Sequence, residues 1–474
     1  MEIVPGTRLR ALLDRYGSPL YVYSESILRE NIARLRRAFP DAHLYHFTPS
    51  NRCPGILRFM RDRMDGMTAT APLGAQRALR FLPATRVIVS GSNYSQADLA
   101  WLTAVPGLRV NFNSLAELRA VAARRPGHAV GVRLDTGVKS RVYTKESEMD
   151  VPLVQVPELA AIDVRVAMIH CYAGTAQTTG NLVNSARTLC ETVLRHPRVF
   201  AGLETINIAG GIAFDDLTGE FPDVEGYGRE VSGAIADLCA RLGRRVRLIL
   251  EPGRVNMANS ASLYCHINQL YDKDGRPFIG IDATRFQFGD LSKFGKLDED
   301  AAFALALYDA HGHTVPHSCT PQPGQVYLGI HGNTHYSKDR LRGVFVRAAD
   351  VARLANGFFE LKYAGAYASS MTSTWADREM PAEVMLRPNQ SLQLLEQRQR
   401  PHEVVLSRLE RAHRHLRRRL VQATAAGAAL AALLALGAVD ILPSRPANEA
   451  HAEAVPAAPD MSMQRVRHVN LFTP

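Results

Sequence analysis

Short apolar runs alternate with amphipathic stretches along the first half of the chain, and that alternation sets the expected architecture. Pro19 to Tyr23 is strand-like. Ser24 then caps a helix whose apolar repeat (Ile27, Leu28, Ile32, Leu35) runs to Phe39, where Pro40 stops it. Further strands are expected at His43 to Phe47, Arg86 to Ser90, Leu108 to Phe112, Ala129 to Leu134, Val164 to His170, Thr205 to Ile208 and Arg247 to Leu250. Repeated strand–helix units of this length imply a parallel sheet, and about eight of them close into a barrel. After Arg254 the texture changes. Leu263 to Leu270, Phe278 to Asp282, Gln325 to Leu328 and Phe358 to Lys362 read as strands with little helix between them. The expected fold is α/β: a TIM-type (β/α)8 barrel over residues 24–260 and a β domain built from residues 1–23 and 261–386.

The remainder has a different composition. Residues 387–420 are polar, charged and helix-prone, and are expected to form a charged helical linker ending in Arg417-Arg418-Arg419. Residues 421–439 carry no charge and precede a Pro/Ala-rich, flexible tail over 440–474. Nineteen uncharged residues nearly reach the ~20 needed to span a bilayer. The segment is mostly alanine, however, so a membrane anchor and an Ala-rich packing helix remain alternative readings.

Charge and cysteine usage narrow the classes. The 474-residue chain has a net charge of +10, but its arginines are spread out and no zinc finger or RNA-binding motif accompanies them. A nucleic-acid partner is therefore not expected. The six cysteines are scattered without a CxxC pair, which excludes a patterned metal or disulfide framework. With no charged-then-apolar leader at Met1 to Pro5, a cytoplasmic location is expected.

The chemistry concentrates at Glu251-Pro252-Gly253-Arg254, where a strand ends in a Pro-Gly turn and presents a carboxylate beside a guanidinium. In a (β/α)8 barrel the carboxyl ends of strands carry the active site. Taken with Ala209-Gly210-Gly211 and Gly365-Ala366-Tyr367, this stretch resembles the fold type III pyridoxal-phosphate decarboxylases, the alanine racemase-like group of diaminopimelate and ornithine decarboxylase. The resemblance covers roughly residues 15–386. It implies that Gly210 and Gly211 hold the cofactor phosphate through backbone amides, since a side chain there would block the anion. It implies that Glu251 pairs with the pyridine nitrogen, and that Gly253, Arg254 and Tyr367 sit at the phosphate end. Asp65 and Arg133 are implied to line the pocket. Taken singly, each of those two reads as an ordinary ion-paired residue.

Three positions depart from the pattern. Leu44-Tyr45-His46-Phe47-Thr48-Pro49-Ser50-Asn51 is similar to the strand bearing the family's Schiff-base lysine, but Thr48 stands in its place and the first lysine of the chain is Lys139. Tyr172 stands where the family stacks a histidine on the ring. In the loop Gly332 to Leu341, which resembles the one delivering a cysteine and an acid from the partner subunit, His335 replaces the cysteine and Tyr336 the following acid, while Asp339 is retained. His335 and Tyr172 are the candidate catalytic residues, with His46 a further candidate helper; a surface-loop histidine is the plainer reading of His335.

Two classes of function follow. One is a homodimeric, non-decarboxylating relative that holds pyridoxal phosphate without a covalent bond and acts in binding or regulation. The other is an active decarboxylase or related lyase, acting on an amino acid or amine with altered site residues. No metal is expected.

Overall fold

The computed structural model describes residues 2–138, 150–175, 178–289, 304–336, 338–373 and 378–396. Lys139, the linker from residue 397, the uncharged segment 421–439 and the tail lie outside the described residues. No helix among the described residues is long and apolar enough to cross a membrane.

Eight parallel strands close into the expected barrel. In order around it they are His43–Phe47, Gly66–Ala69, Val87–Ser90, Arg109–Phe112, His128–Asp135, Val164–His170, Thr205–Asn207 and Arg247–Leu250. The last returns to the first through Ile249 and Leu250 against His43 and Leu44. One strand, Gly66–Ala69, has no counterpart in the hydrophobic pattern. It is only four residues long, with a single β-branched side chain, and is recognisable mainly by its complete burial.

Alternation along the pleat decides what reaches the barrel's interior. Tyr45, Ile88, Met168 and Ile249 form a small cluster of their own, one side chain from each of four strands. The larger core lies outside the strands, where Leu28, Ile32 and Leu35 of the helix Glu25–Ala38 pack among the strand and helix side chains. Gly228 lets the long helix Val224–Leu242 come close to this first helix, because a Cβ there would lie 2.0 Å from the carbonyl oxygen of Ala38.

The second sheet is mixed. Leu20–Ser24 lies between Ala382–Leu386, its parallel neighbour, and Ala261–Lys273, its antiparallel one. The start of the expected helical linker is instead a strand. Arg387 to Gln390 form a turn, and Leu392–Glu396 returns antiparallel to Ala382–Leu386. The Pro-Asn-Gln turn, with Gln390 at φ 63°, breaks the helix before its polar repeat can begin.

This second sheet reaches the barrel at one place that matters for the site. The amide of Tyr367 donates to the carbonyl of Ser50 at 2.6 Å, and the Ser370 hydroxyl donates to the carbonyl of Pro49 at 2.7 Å. The turn Thr48–Ser50, which ends the first barrel strand, is thereby pinned from the β domain.

Candidate active site

The carboxyl ends of the barrel strands surround a cavity of about 190 Å³. Glu251 follows the strand Arg247–Leu250 directly and sits at the base of this cavity, with its side chain 3% exposed. Asn207, at the end of the neighbouring strand, donates from Nδ2 to Glu251 Oε1 at 2.6 Å and fixes the carboxylate. His170 approaches from the next strand, its Nε2 3.8 Å from Glu251 Oε2. Burial pushes the Glu251 carboxyl up, but His170 and Asn207 outweigh it and hold the group below the ordinary carboxylate range. Neither ring nitrogen of His170 has a hydrogen-bond partner among the described residues. A buried acid kept ionised beside unanswered nitrogens is a place for a ligand.

The opposite wall is built for an anion. A Cβ at Gly210 would stand 2.5 Å from the Glu251 carbonyl oxygen, and one at Gly211, where φ is 90°, 2.4 Å from that of Gly174. Both positions therefore need glycine, and both leave bare backbone facing the cavity. Gly253 is similarly constrained by the Tyr367 hydroxyl, 2.5 Å from where its Cβ would lie. Arg254 is buried at this end, its guanidinium 5.2 Å from the centre of the Tyr367 ring. The carboxylate of Asp216 meets it at 3.1 Å.

A third wall is aromatic. Tyr172 leans under the Arg133 guanidinium at 5.6 Å, and its hydroxyl contacts Thr175 Oγ1 at 2.5 Å. Arg133 is itself ion-paired with Asp150 at 2.7 Å.

Four sequence-derived candidates lie elsewhere. Asp65 does not line this cavity. It immediately precedes the strand Gly66–Ala69, so it sits at the amino end of the barrel, where it accepts from the amide of Leu44 at 2.7 Å and pairs with Arg36 at 2.7 Å. His46 alternates with Tyr45 and Phe47 and is turned out of the lining. It is fully buried against the carbonyl of Asn51 at 2.9 Å, and burial lowers its pKa to about 4. His335 is exposed and does not line the cavity of its own chain. The retained acid of its loop, Asp339, is buried and occupied in holding that loop, accepting from Thr334 N and Oγ1 and from Arg285 N. Finally, Thr48 is buried but is not a lining residue; Phe47 is. Since Tyr45 points inwards, the period of two carries Phe47, not Thr48, to the mouth.

The same period could have found His170. It precedes Tyr172 by two and follows the inward-facing Met168 by two. Asn207 and Asp216 carried no such signal, because their roles depend on neighbours brought in by other strands and loops.

With this geometry in hand, comparisons identify the lineage. Residues 25–258 match the family model described as the pyridoxal-binding domain of pyridoxal-dependent decarboxylases. The barrel belongs to the fold type III pyridoxal-dependent decarboxylase family. The diaminopimelate decarboxylase of Methanothermobacter thermautotrophicus is 25% identical over 410 residues, covering 81% of this chain and 90% of the relative. That of Streptomyces coelicolor is 26% identical over 428 residues, covering 85% and 92%. Among solved structures, a diaminopimelate decarboxylase aligns with a TM-score of 0.72 at 22% identity, covering 85% of this chain and 96% of the other. The Helicobacter pylori enzyme complexed with L-lysine aligns at 0.70 and 17%, covering 85% and 99%.

The family implies pyridoxal phosphate, and the cavity fits its anion and its ring. The constrained glycines and Arg254 suit a phosphate, Glu251 suits a protonated ring nitrogen, and Tyr172 supplies a flat wall. It does not supply an amine. Among the described residues no lysine lines it.

Proposed function

We propose that the barrel mouth binds pyridoxal phosphate, or an anion of the same shape, without a covalent bond, and that the chain serves in binding or regulation rather than as a rapidly turning-over decarboxylase. The observation that carries this reading is Phe47. The strand that would offer the amine presents a phenyl ring, and no lysine takes its place in the lining among the described residues. When bound, the cofactor supplies an electron sink for an amino acid's Cα. What remains to this chain is holding: Glu251 secured by Asn207, the glycine turns and Arg254 at the anion end, Tyr172 and Tyr367 at the sides.

A second reading, an active decarboxylase or lyase on an amino acid or amine, is favoured by the buried Glu251–Asn207–His170 set, which a passive scaffold does not need. One set of measurements separates the two. Full-length protein titrated with pyridoxal phosphate is expected to bind it reversibly, lose it on dialysis and retain no pyridoxyl group after borohydride. Phe47→Lys is expected to gain a borohydride-fixed group, with Thr48→Lys as the less well-placed control. A pyridoxyl-lysine peptide from the unaltered protein, or carbon dioxide release from diaminopimelate or another amino acid at a typical enzyme rate of about 10 per second, would establish the second reading instead.

We also propose a head-to-tail homodimer in which the loop carrying His335 faces the partner's cavity. Support comes from its exposure and from its absence from the cavity of its own chain. A clean monomer in sedimentation at micromolar concentration would remove it.

A further inference from the structure

A second cavity, of about 500 Å³, opens at the floor, where the barrel strands begin. Its volume falls in the range of roughly 300–1,000 Å³ that small-molecule sites occupy. The pleat explains what lines it. Tyr45, Ile88 and Ile249 fill the barrel's interior, and the side chain two positions before each faces the same way. Those side chains are His43, Arg86 and Arg247, and all three line the floor cavity. Arg109, the first residue of the strand Arg109–Phe112, joins them. Branched apolar side chains ordinarily fill the layers of such a barrel. Here the lowest layer is basic.

Its cations are poorly answered. Arg109 has no carboxylate partner among the described residues. Its Nη2 donates to the Tyr45 hydroxyl and to the carbonyl of Thr85, and its buried Nε has no partner. Arg86 spends Nε and Nη2 on backbone carbonyls, which leave its charge uncancelled. Arg247 reaches Glu204 only at 3.4 Å, and Arg165 holds that carboxylate's other oxygen at 2.7 Å. Asp65, the one acid in the lining, is already paired with Arg36. His43 registers the resulting field. Burial, and then Arg247, Arg109 and Arg36, hold its imidazole below the ordinary range, against the pull of Asp65. With His43 neutral, three guanidinium groups and one carboxylate give the lining a charge of +2.

Fastening a loop accounts for Arg86 and for one nitrogen of Arg109. It does not account for Arg247, nor for a buried Nε donor left unanswered. Such groups cost stability until something satisfies them. Guanidinium edges match the oxygens of an oxyanion, and a phosphate monoester brings two negative charges to a lining of +2. We infer that the barrel floor is a second ligand site, in which Arg109 and Arg247 hold the dianionic phosphate group of a small phosphorylated molecule. The site is separate from the mouth and does not rest on the cofactor reading.

The test titrates full-length protein with inorganic phosphate by calorimetry, comparing the unaltered chain with Arg247→Gln, Arg109→Gln and Arg254→Gln. Succinate serves as the dicarboxylate control, and thermal unfolding without ligand checks each fold. The Arg247 side chain is 50% exposed, so its variant should melt with the unaltered protein and isolate the loss of charge. The unaltered protein is expected to show a phosphate-binding event that Arg254→Gln retains and that both floor variants weaken at least tenfold. Succinate should bind at least tenfold more weakly than phosphate. Phosphate affinity retained by Arg247→Gln, or no phosphate binding by the unaltered protein at millimolar concentration, overturns the site. Succinate binding as tightly as phosphate overturns the assignment of its ligand. Because inorganic phosphate and Arg254→Gln separate the two ends, the result does not depend on whether the mouth takes pyridoxal phosphate.

Discussion

The two ends of one barrel use some of their arginines in different ways. At the mouth, Arg133 and Arg254 face carboxylates, and glycine turns leave backbone bare beside them. At the floor, Arg86 gives its guanidinium to backbone carbonyls, those of Met64 at 2.6 Å, Asp65 at 2.7 Å and Arg61 at 3.3 Å. Arg244 does the same for Phe200 and Leu203. A guanidinium on carbonyls fastens a loop and satisfies acceptors that burial would otherwise strand. A guanidinium on a carboxylate holds its place by charge, as Arg36 on Asp65 also does at the floor. What sets the mouth apart is the bare glycine backbone beside its arginines, at the end where a barrel carries its site.

The sharpest break in that comparison comes from the glycine turn. Gly211→Ala places a methyl group 2.4 Å from the carbonyl oxygen of Gly174, on a residue at φ 90°. The left-handed conformation alone costs ~1–2 kcal/mol, and relieving the contact adds at least as much. Expected are a total loss on the order of 3–4 kcal/mol in denaturant unfolding and loss of pyridoxal phosphate binding. Retained affinity would mean that the anion sits elsewhere.

Buried acids at the mouth sharpen the contrast through pH. Glu251 is held low by its neighbours, but Glu383, behind the turn that Tyr367 pins, is not. It accepts from the Tyr23 hydroxyl at 2.8 Å, and burial pushes its carboxyl up to about 7. The folded pKa lies above the unfolded one, near about 4.3. The group's stabilising contribution is therefore complete below about 4.3 and is lost as pH rises through about 7. Glu383→Gln removes that dependence. Relative to the unaltered protein, the variant should gain about 2–3 kcal/mol between pH 5 and pH 8 in denaturant titrations. An unchanged difference across that range would show the carboxyl to be ionised throughout.

The floor should answer differently. Arg86→Ala strands three carbonyls, at a cost of about 2 kcal/mol in unfolding, with affinity for pyridoxal phosphate unchanged. A loss of affinity with no loss of stability would reverse the roles assigned to the two ends.

How much of this was legible in the sequence follows from which interactions are local. The barrel was readable because most of its strands are bounded apolar runs, and Glu251 because its strand ends in a Pro-Gly turn. The strand Gly66–Ala69 was not, because its four residues owe their state to burial between two neighbours rather than to propensity. That omission displaced Asp65 in the reading: without a strand start at Gly66, nothing marked the aspartate as lying before the strand rather than after it. Thr48 and Phe47 answer to different signals. Aligning by resemblance picks the position of the missing lysine, whereas the pleat, counted from Tyr45, picks Phe47. Arg254 lies in the Pro-Gly motif that ends its strand and lines the cavity, whereas Asp216, 38 positions earlier, meets it only once the loop has folded onto it.

Asp65 offers the smallest and most direct check of the floor. Its carboxylate accepts from the amide of Leu44 and pairs with Arg36 at 2.7 Å, both side chains about one-third exposed at 32% and 35%. Asparagine keeps the acceptor for the Leu44 amide and loses only the ion pair, which solvent at that exposure reduces to roughly 0.5–1 kcal/mol. Asp65→Asn should therefore lower stability by no more than that, with the loss shrinking further in high salt. Pyridoxal phosphate affinity should be unchanged, because the residue precedes its strand and the cavity lies beyond the strand's other end. A tenfold weaker affinity in calorimetry would place Asp65 back among the ligand's neighbours, and the division between mouth and floor would fail at its most exposed point.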